Sequence, residues 1–82
     1  MINSLMRFHL VLKFSDGTTY KTHTAKRKRI SLQLRGREFL EADLRVLYYR
    51  DGVEIAENRG IYHNRADALL AWEAFTEPEV MV

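Results

Sequence analysis

The stretch MRFHLVLKFSDGTTYKTHT, residues 6–24, carries the strongest structural pattern in the chain. Its residues 6–14 alternate between apolar and polar side chains, and this period of two predicts a β-strand with one buried face. Ser15-Asp16-Gly17 predicts a three-residue hairpin loop, because its glycine can adopt the positive φ that such a loop requires. A loop of this length places Leu12 opposite Tyr20, which keeps the aromatic ring on the apolar face.

A second hairpin pattern follows at residues 42–62. Arg50-Asp51-Gly52 predicts a loop of the same kind, and the apolar pairs on either side of it set the register. In that register Arg45 lies opposite Glu57. Asp43 lies opposite Arg59. Each of these opposite-charge pairs is expected to add roughly a few tenths of a kcal/mol.

Between the hairpins, Ile30, Leu32 and Leu34 alternate with polar residues, which predicts a middle strand over 29–35. Near the end of the chain, Asn64 is typical of a helix N-cap, and an apolar stripe at helical spacing follows it.

These patterns predict an α+β fold in a single domain over residues 1–82. The predicted strands cover 6–14, 18–24, 29–35, 42–49 and 53–62, and the predicted helix covers 64–76. We expect an antiparallel five-stranded meander sheet with this C-terminal helix packed on one face through Leu69, Trp72 and Phe75. The alternative is a small five-stranded barrel that the C-terminal helix plugs. The ordered core is expected to span about 6–76, with loose tails at 1–5 and 77–82.

Composition excludes several functional classes. The chain has 82 residues and no cysteine, which excludes disulfides and thiol catalysis and favours a reducing compartment. No apolar run is long enough to cross a bilayer and no signal-peptide pattern is present, so we expect a cytoplasmic protein without membrane attachment. No serine stands in a nucleophile-elbow context, no glycine-rich phosphate loop occurs, and the three histidines match no zinc spacing. We therefore predict no enzymatic activity, no cofactor, no metal and no small-molecule substrate.

Charge is split along the chain. Nine of the thirteen Lys and Arg residues lie within the first 37 positions beside a single acid, Asp16, whereas ten acids and four arginines follow. The first part therefore carries about +8 and the rest about −6, which sums to the net charge of +2. Such a polarised chain suggests a charged partner for at least one of its halves.

The basic residues concentrate in 21–37, where seven cations have no acid between them. The four consecutive cations at 26–29 repel one another unless an anion lies nearby, and phosphate backbone is a common anion of this kind. We predict a non-enzymatic module that binds DNA or RNA through a basic connection between the predicted strands 18–24 and 29–35. An acidic protein surface, the chain's own acidic half or solvent alone are the alternative surroundings for these cations. The predicted nucleic-acid-binding residues are Lys21, Lys26, Arg27, Lys28, Arg29, Arg35 and Arg37.

The alternative hypothesis is a small interaction protein, of a phage or mobile-element type, that inhibits or modulates a larger complex. Its acidic hairpin at 42–62 would imitate a phosphate backbone. The sheet face away from the helix is too apolar for full solvation, so a protein partner or a second copy in a homodimer would cover it. The predicted partner-binding residues are Val11, Leu44, Val46, Tyr48 and Glu54.

Overall fold

Four β-strands and two α-helices make up residues 4–74, the part of the chain that the computed structural model describes. Their order is β1 (Ser4–Lys13), β2 (Thr19–Thr24), α1 (Arg27–Arg35), β3 (Glu41–Arg50), β4 (Val53–Tyr62) and α2 (Arg65–Ala74). The strands form one sheet in the order β2-β1-β3-β4, and all neighbours are antiparallel. β2 and β3 therefore run parallel to each other on either side of β1, and α1 connects them.

The α+β class and the antiparallel sheet are confirmed, but the five-stranded meander is wrong. The sheet has four strands, and α1 replaces the strand predicted over 29–35. Ile30 and Leu34 are buried, while Leu32 between them is 61 % exposed. Positions four residues apart share a face in both a strand and a helix, so alternation over so few residues does not distinguish the two. The barrel alternative is also wrong, because β2 and β4 are the two edges of an open sheet.

The first hairpin has the predicted loop and register. Leu12 lies opposite Tyr20. The Phe14 N–H donates to the Thr18 carbonyl at 3.0 Å, which closes the loop. Gly17 has a φ of +87°, the left-handed conformation that the sequence pattern required.

The second hairpin departs from the predicted register. Its loop has two residues, Asp51 and Gly52, with φ values of 50° and 81°, and Arg50 pairs with Val53. Two successive residues of positive φ are typical of a type I′ turn. A β-bulge then leaves Ile55 without a partner on β3 and shifts the pairing of the rest of β4.

Both predicted ion pairs of this hairpin form nevertheless. Arg45 Nε lies 2.9 Å from Glu57 Oε1, and Arg59 Nη2 lies 2.5 Å from Asp43 Oδ2. After the register shift each pair is a diagonal contact, since Arg45 lies directly opposite Arg59. Long charged side chains reach diagonal neighbours across a strand pair. The ion pairs therefore still form after the register shift, whereas the predicted apolar pairs are lost.

Pairing with β1 fixes which face of β3 is buried. Leu44 lies opposite Leu10 and Val46 opposite Phe8, and these four side chains form part of one buried cluster beneath the helices. Even-numbered positions of β3 therefore face the helices. Odd-numbered positions lie on the opposite face, which we call the outer face.

Trp72 connects the two helices to the sheet. Its ring is buried and meets the Phe8 ring edge-on, with 5.4 Å between centroids and an interplanar angle of 86°. Its indole Nε1–H donates to Ser31 Oγ of α1 at 2.7 Å. An edge-on aromatic pair and a satisfied indole donor both stabilise a buried tryptophan.

The start of α2 agrees with the sequence pattern. Asn64 Oδ1 accepts the Asp67 N–H at 2.8 Å, so Asn64 is the N-cap. Of the predicted helix anchors, Trp72 is buried and Leu69 half-buried, whereas Phe75 lies outside the described residues, as do the predicted tail 77–82 and residues 1–3. β1 begins at Ser4, within the predicted tail 1–5. Neither α1 nor α2 has the length and apolar composition needed to cross a membrane.

Replacing Ser31 tests the contact between the helices. We expect Ser31→Ala to lower the free energy of unfolding by about 1–3 kcal/mol, because the indole N–H of Trp72 stays buried without an acceptor. Urea denaturation followed by circular dichroism measures the change. Ser15→Ala in the exposed loop is the matched control and should change stability by less than about 0.5 kcal/mol. Equal losses in the two variants would contradict the assigned hydrogen bond.

Candidate nucleic-acid interface

The structure places the seven predicted cations in three separate regions. The first contains only Lys21 on the edge strand β2. The second is the start of α1, and the third is the end of α1 and the segment after it. The residues of the second region are Lys26, Arg27, Lys28 and Arg29, and those of the third are Arg35 and Arg37.

The start of α1 concentrates positive charge. Lys26 is the N-cap, and the first helical turn contains no acidic residue. No side chain caps this helix end, although the Lys26 N–H donates to Thr24 Oγ1 at 3.0 Å and so fixes the entry of the chain. The helix macrodipole adds the equivalent of roughly +0.5 charge at the same end. In the isolated protein, these cations therefore repel one another and are repelled by the positive end of the helix dipole.

Arg27 differs from its three basic neighbours. Its guanidinium lies 5.2 Å from the ring centroid of Trp72, and the residue is half-buried. Lys26, Lys28 and Arg29 are exposed, and none of the three forms an ion pair with any residue within 4–74. We call these three residues the α1 basic cluster. It is the part of the predicted binding segment that presents charge to solvent at a single place.

The cations of the third region serve the fold instead. Arg35 Nη2 lies 2.5 Å from Glu73 Oε1 and joins α1 to α2. Arg37 Nη2 lies 2.6 Å from Asp16 Oδ2, and its guanidinium stacks over the Phe14 ring at 4.0 Å. These two residues do not extend the α1 basic cluster, because carboxylates already neutralise them.

Hydrogen bonding makes Asp16 a strong partner for Arg37. The side-chain hydroxyl of Thr18 donates to Asp16 Oδ1, and the backbone N–H of Thr18 donates to the same oxygen at 2.9 Å. These bonds, together with that from Arg37, hold the pKa of Asp16 well below its ordinary range. The carboxylate therefore stays charged in acidic solution where an ordinary aspartate becomes protonated, and it keeps Arg37 at the first hairpin loop.

Lys21 is exposed, and it lies opposite Val11 on the outer face of the sheet. The helices cover the other face, where Leu10 and Leu12 are buried. Lys21 and the α1 basic cluster therefore belong to different faces of the molecule, although they are close in sequence.

The predicted partner-binding surface does not exist as one surface. Leu44 and Val46 are buried beneath the helices, and Tyr48 packs against the same core. Val11 lies on the outer face, and exposed Glu54 stands next to the bulge. The prediction placed the even-numbered residues of β3 on the wrong face of the sheet. The charged residues at positions 41, 43 and 45 are the signal that its even positions are the buried ones.

Three of the carboxylates on or next to the acidic hairpin, which were expected to imitate a phosphate backbone, are paired. Glu41 lies 3.0 Å from Lys13 Nζ, and Asp43 and Glu57 bind arginines within their own hairpin. Alternating charges of this kind do not present a row of negative charge to a partner. The arrangement therefore does not favour charge mimicry.

A row of basic side chains on the outer face escaped the sequence analysis. The cross-strand neighbours His23, His9, Arg45 and Arg59 follow one another through all four strands. The His9 and His23 rings stack with 3.9 Å between their centroids. In the predicted register of the first hairpin, His9 and His23 already lie opposite each other on the polar face, and this was the signal available in the sequence. Among the described residues no group of three or more His, Asp or Glu side chains is arranged to hold a metal ion.

Burial lowers the pKa of His9 below its ordinary value of 6.5. The positive charges of His23, Arg45 and Arg7 lower this pKa further, and Glu57 opposes them. Protonating His9 would place a charge in a row that is already positive. The folded protein therefore favours the neutral ring.

Comparison with known proteins found no matching protein-family model, curated protein or solved structure. A functional proposal for this chain therefore rests on the placement and charge of its own residues.

His9 makes stability depend on pH. The folded state lowers the pKa of His9, so its contribution to stability is fully present above about pH 6.5 and is lost as the pH falls through the folded-state pKa. We expect His9→Gln to reduce the loss of unfolding free energy between about pH 7 and about pH 5. Denaturant unfolding across this range measures it, with His63→Gln as the matched replacement of a histidine that lies outside the outer-face row. A His9→Gln protein with the wild-type slope would refute this assignment.

Replacing one cation at the start of α1 should stabilise the isolated protein. Lys28→Glu puts a carboxylate near the positive end of the helix dipole and removes a like-charge repulsion, so we expect a gain of about 0.3–1 kcal/mol at low ionic strength. Thermal and urea unfolding measure the gain. Lys21→Glu makes the same change in net charge on the exposed edge of the sheet and should have a smaller effect. A loss of stability in Lys28→Glu would show that this lysine supports the fold.

Proposed function

We propose that the chain is a non-enzymatic binding module that contacts the phosphate backbone of DNA or RNA through the α1 basic cluster. The observation that carries the proposal is the position of Lys26, Lys28 and Arg29 at a helix N-terminus without an acidic neighbour in the first turn. Each such cation costs about 0.3–1 kcal/mol at a helix N-terminus. An external polyanion relieves this repulsion, whereas no described carboxylate of the chain does.

Phosphate suits this arrangement chemically. The first turn of a helix leaves backbone N–H groups without intrahelical acceptors, and these groups commonly bind phosphate oxygens. Arg29 supplies a guanidinium fork that can donate two hydrogen bonds to one phosphate group. The lysines add compact charges that tolerate several spacings along a flexible strand.

The proposed binding is electrostatic and weak in sequence preference. Contacts to phosphate position a protein on nucleic acid without reading the bases. Three available cations also limit the affinity, because each phosphate contact releases one counterion equivalent at most. We therefore expect affinity to fall steeply as salt is raised and to differ little between nucleic-acid sequences.

A triple substitution tests the proposal. We expect replacement of Lys26, Lys28 and Arg29 by alanine to weaken binding to a fluorescent DNA duplex on the order of 10–100-fold at low salt. The slope of log affinity against log salt should become shallower by about 2–3, because up to three counterion-releasing contacts are lost. Fluorescence anisotropy between about 50 and about 200 mM salt measures both quantities. A single-stranded RNA probe in parallel distinguishes the two kinds of nucleic acid.

The matched control removes three cations that the fold already neutralises. Replacing Lys13, Arg35 and Arg37 by alanine changes the net charge by the same amount, but each of these residues has a carboxylate partner. We expect this control to retain most of the affinity. Equal losses in the two triple variants would reduce the interaction to net charge alone and would refute a specific site. Binding of an acidic peptide in preference to both nucleic acids would instead identify an acidic protein partner.

A further inference from the structure

The two edges of the sheet are built differently. The β2 edge is six residues long and includes Lys21, and a short strand with a lysine is a common protection against pairing with another chain. The β4 edge is ten residues long and contains neither proline nor lysine. Its bulge lies near its beginning, so residues 56–62 keep regular pairing with β3. Within the described residues, β4 is therefore a long edge whose regular segment, 56–62, carries the opposite charges of Glu57 and Arg59 rather than charges of one sign.

β4 also exposes apolar side chains along this edge. Val53, Ile55 and Ile61 have 63 %, 59 % and 49 % of their surface accessible. Apolar side chains on an unpaired strand edge favour addition of a further strand, which supplies hydrogen-bond partners and covers the apolar surface. The sequence of β4 indicates what that strand is.

Antiparallel self-pairing of β4 allows only a few registers. Along an edge strand, every second residue directs its backbone N–H and C=O groups away from the sheet. In a symmetric antiparallel pair, even-numbered residues can therefore pair only with even-numbered residues, and odd-numbered only with odd-numbered. The two-fold axis then passes between two copies of the same residue. An axis at Glu57 places the Glu57 side chains of the two copies opposite each other, and an axis at Arg59 does the same for Arg59. An axis at Ala56 or at Gly60 places charged side chains opposite apolar ones. Like charges directly opposite each other destabilise a strand pair.

An axis at Asn58 gives a complementary register. It places Glu57 opposite Arg59 within the regularly paired segment 56–62, and the two-fold symmetry repeats this pair. Glu57 and Arg59 already bind Arg45 and Asp43 within their own chain. Across the interface, Arg45 and Glu57 of one copy are then followed by Arg59 and Asp43 of the second copy. The charges along this row alternate in sign.

We propose that two copies of this chain form a homodimer by antiparallel pairing of their β4 strands about Asn58, which joins the two sheets into one. The proposal does not rest on nucleic-acid binding. The β4 edge and the α1 basic cluster belong to different parts of the fold, since α1 packs on β1 and α2. Pairing of a single strand from each copy is a small contact for a protein interface. The dimer is therefore expected to be weak and dependent on concentration.

Sedimentation analysis over a concentration series tests the dimer. We expect the wild-type chain to associate reversibly, and Glu57→Lys or Arg59→Glu to weaken association about tenfold or more, because each opposes like charges twice. Arg45→Gln and Asp43→Asn are the matched controls. They remove the same ion pairs within one chain, leave β4 unchanged, and should still dimerise. A wild-type chain that stays monomeric at every concentration would overturn the proposal, as would association that survives both charge reversals.

Cysteine cross-linking tests the register independently of the charge variants. The chain has no cysteine, so Asn58→Cys introduces a single thiol. We expect this variant to form a disulfide-linked dimer readily under mild oxidation, because directly opposed positions bring Cβ atoms close to disulfide range. Glu57→Cys and Arg59→Cys should cross-link to each other in a mixture faster than either does to itself. Lys21→Cys on the β2 edge is the control. Cross-linking of Asn58→Cys no faster than that of the control would overturn the register.

Discussion

Burial of the even-numbered side chains of β1 organises the sheet and both helices. Phe8, Leu10 and Leu12 are almost fully buried, and complete burial of such a side chain contributes about 1.5–3 kcal/mol. β1 is hydrogen-bonded on both sides, so this apolar face lies at the centre of the sheet and both helices gather over it. The crossover through α1 follows from this arrangement. It carries the chain from β2 over β1 to β3 and leaves the basic start of α1 at the surface.

Part of the charge split along the sequence is neutralised inside the fold. Lys13 pairs with Glu41 and Arg35 with Glu73, which joins the basic first half to the acidic second half. Each of these exposed pairs is worth about 0–1 kcal/mol. These pairs also leave Lys13 and Arg35 less available to any external partner. The α1 basic cluster, the proposed site for a polyanion, is smaller and more local than the seven-residue set that the sequence suggested, and exposed Lys21 lies apart from it on the outer face of the sheet.

The two proposed surfaces differ in their physical basis. The α1 basic cluster depends on charge that the fold does not neutralise, so salt controls it. The β4 edge depends on unsatisfied backbone groups, exposed apolar side chains and the self-complementary charges of Glu57 and Arg59, so concentration controls it. Both surfaces lie outside the buried core. Changes at either one can therefore be examined while Phe8 and Trp72 continue to hold the sheet and helices together.

Patterns among neighbouring residues were sufficient to predict the first hairpin and the start of α2. Alternation in residues 6–14 with Gly17 in its loop gave the first hairpin and its register, and Asn64 gave the start of α2. The ion pairs of the second hairpin were also predictable, because long charged side chains tolerate a register shift. These features depend on residues that are close along the chain.

Tertiary structure alone decided the conformation of 29–35, the buried face of β3 and the fate of the cations. Ile30 and Leu34 fit one face of a strand or of a helix equally well, and burial beside Trp72 selects the helix. The face of β3 follows from its pairing with β1, a contact between distant parts of the chain. Arg35 likewise meets its carboxylate only when α1 and α2 pack together. Local periodicity contains no information about such long-range contacts, so the proposed binding surfaces can be located only in the folded chain.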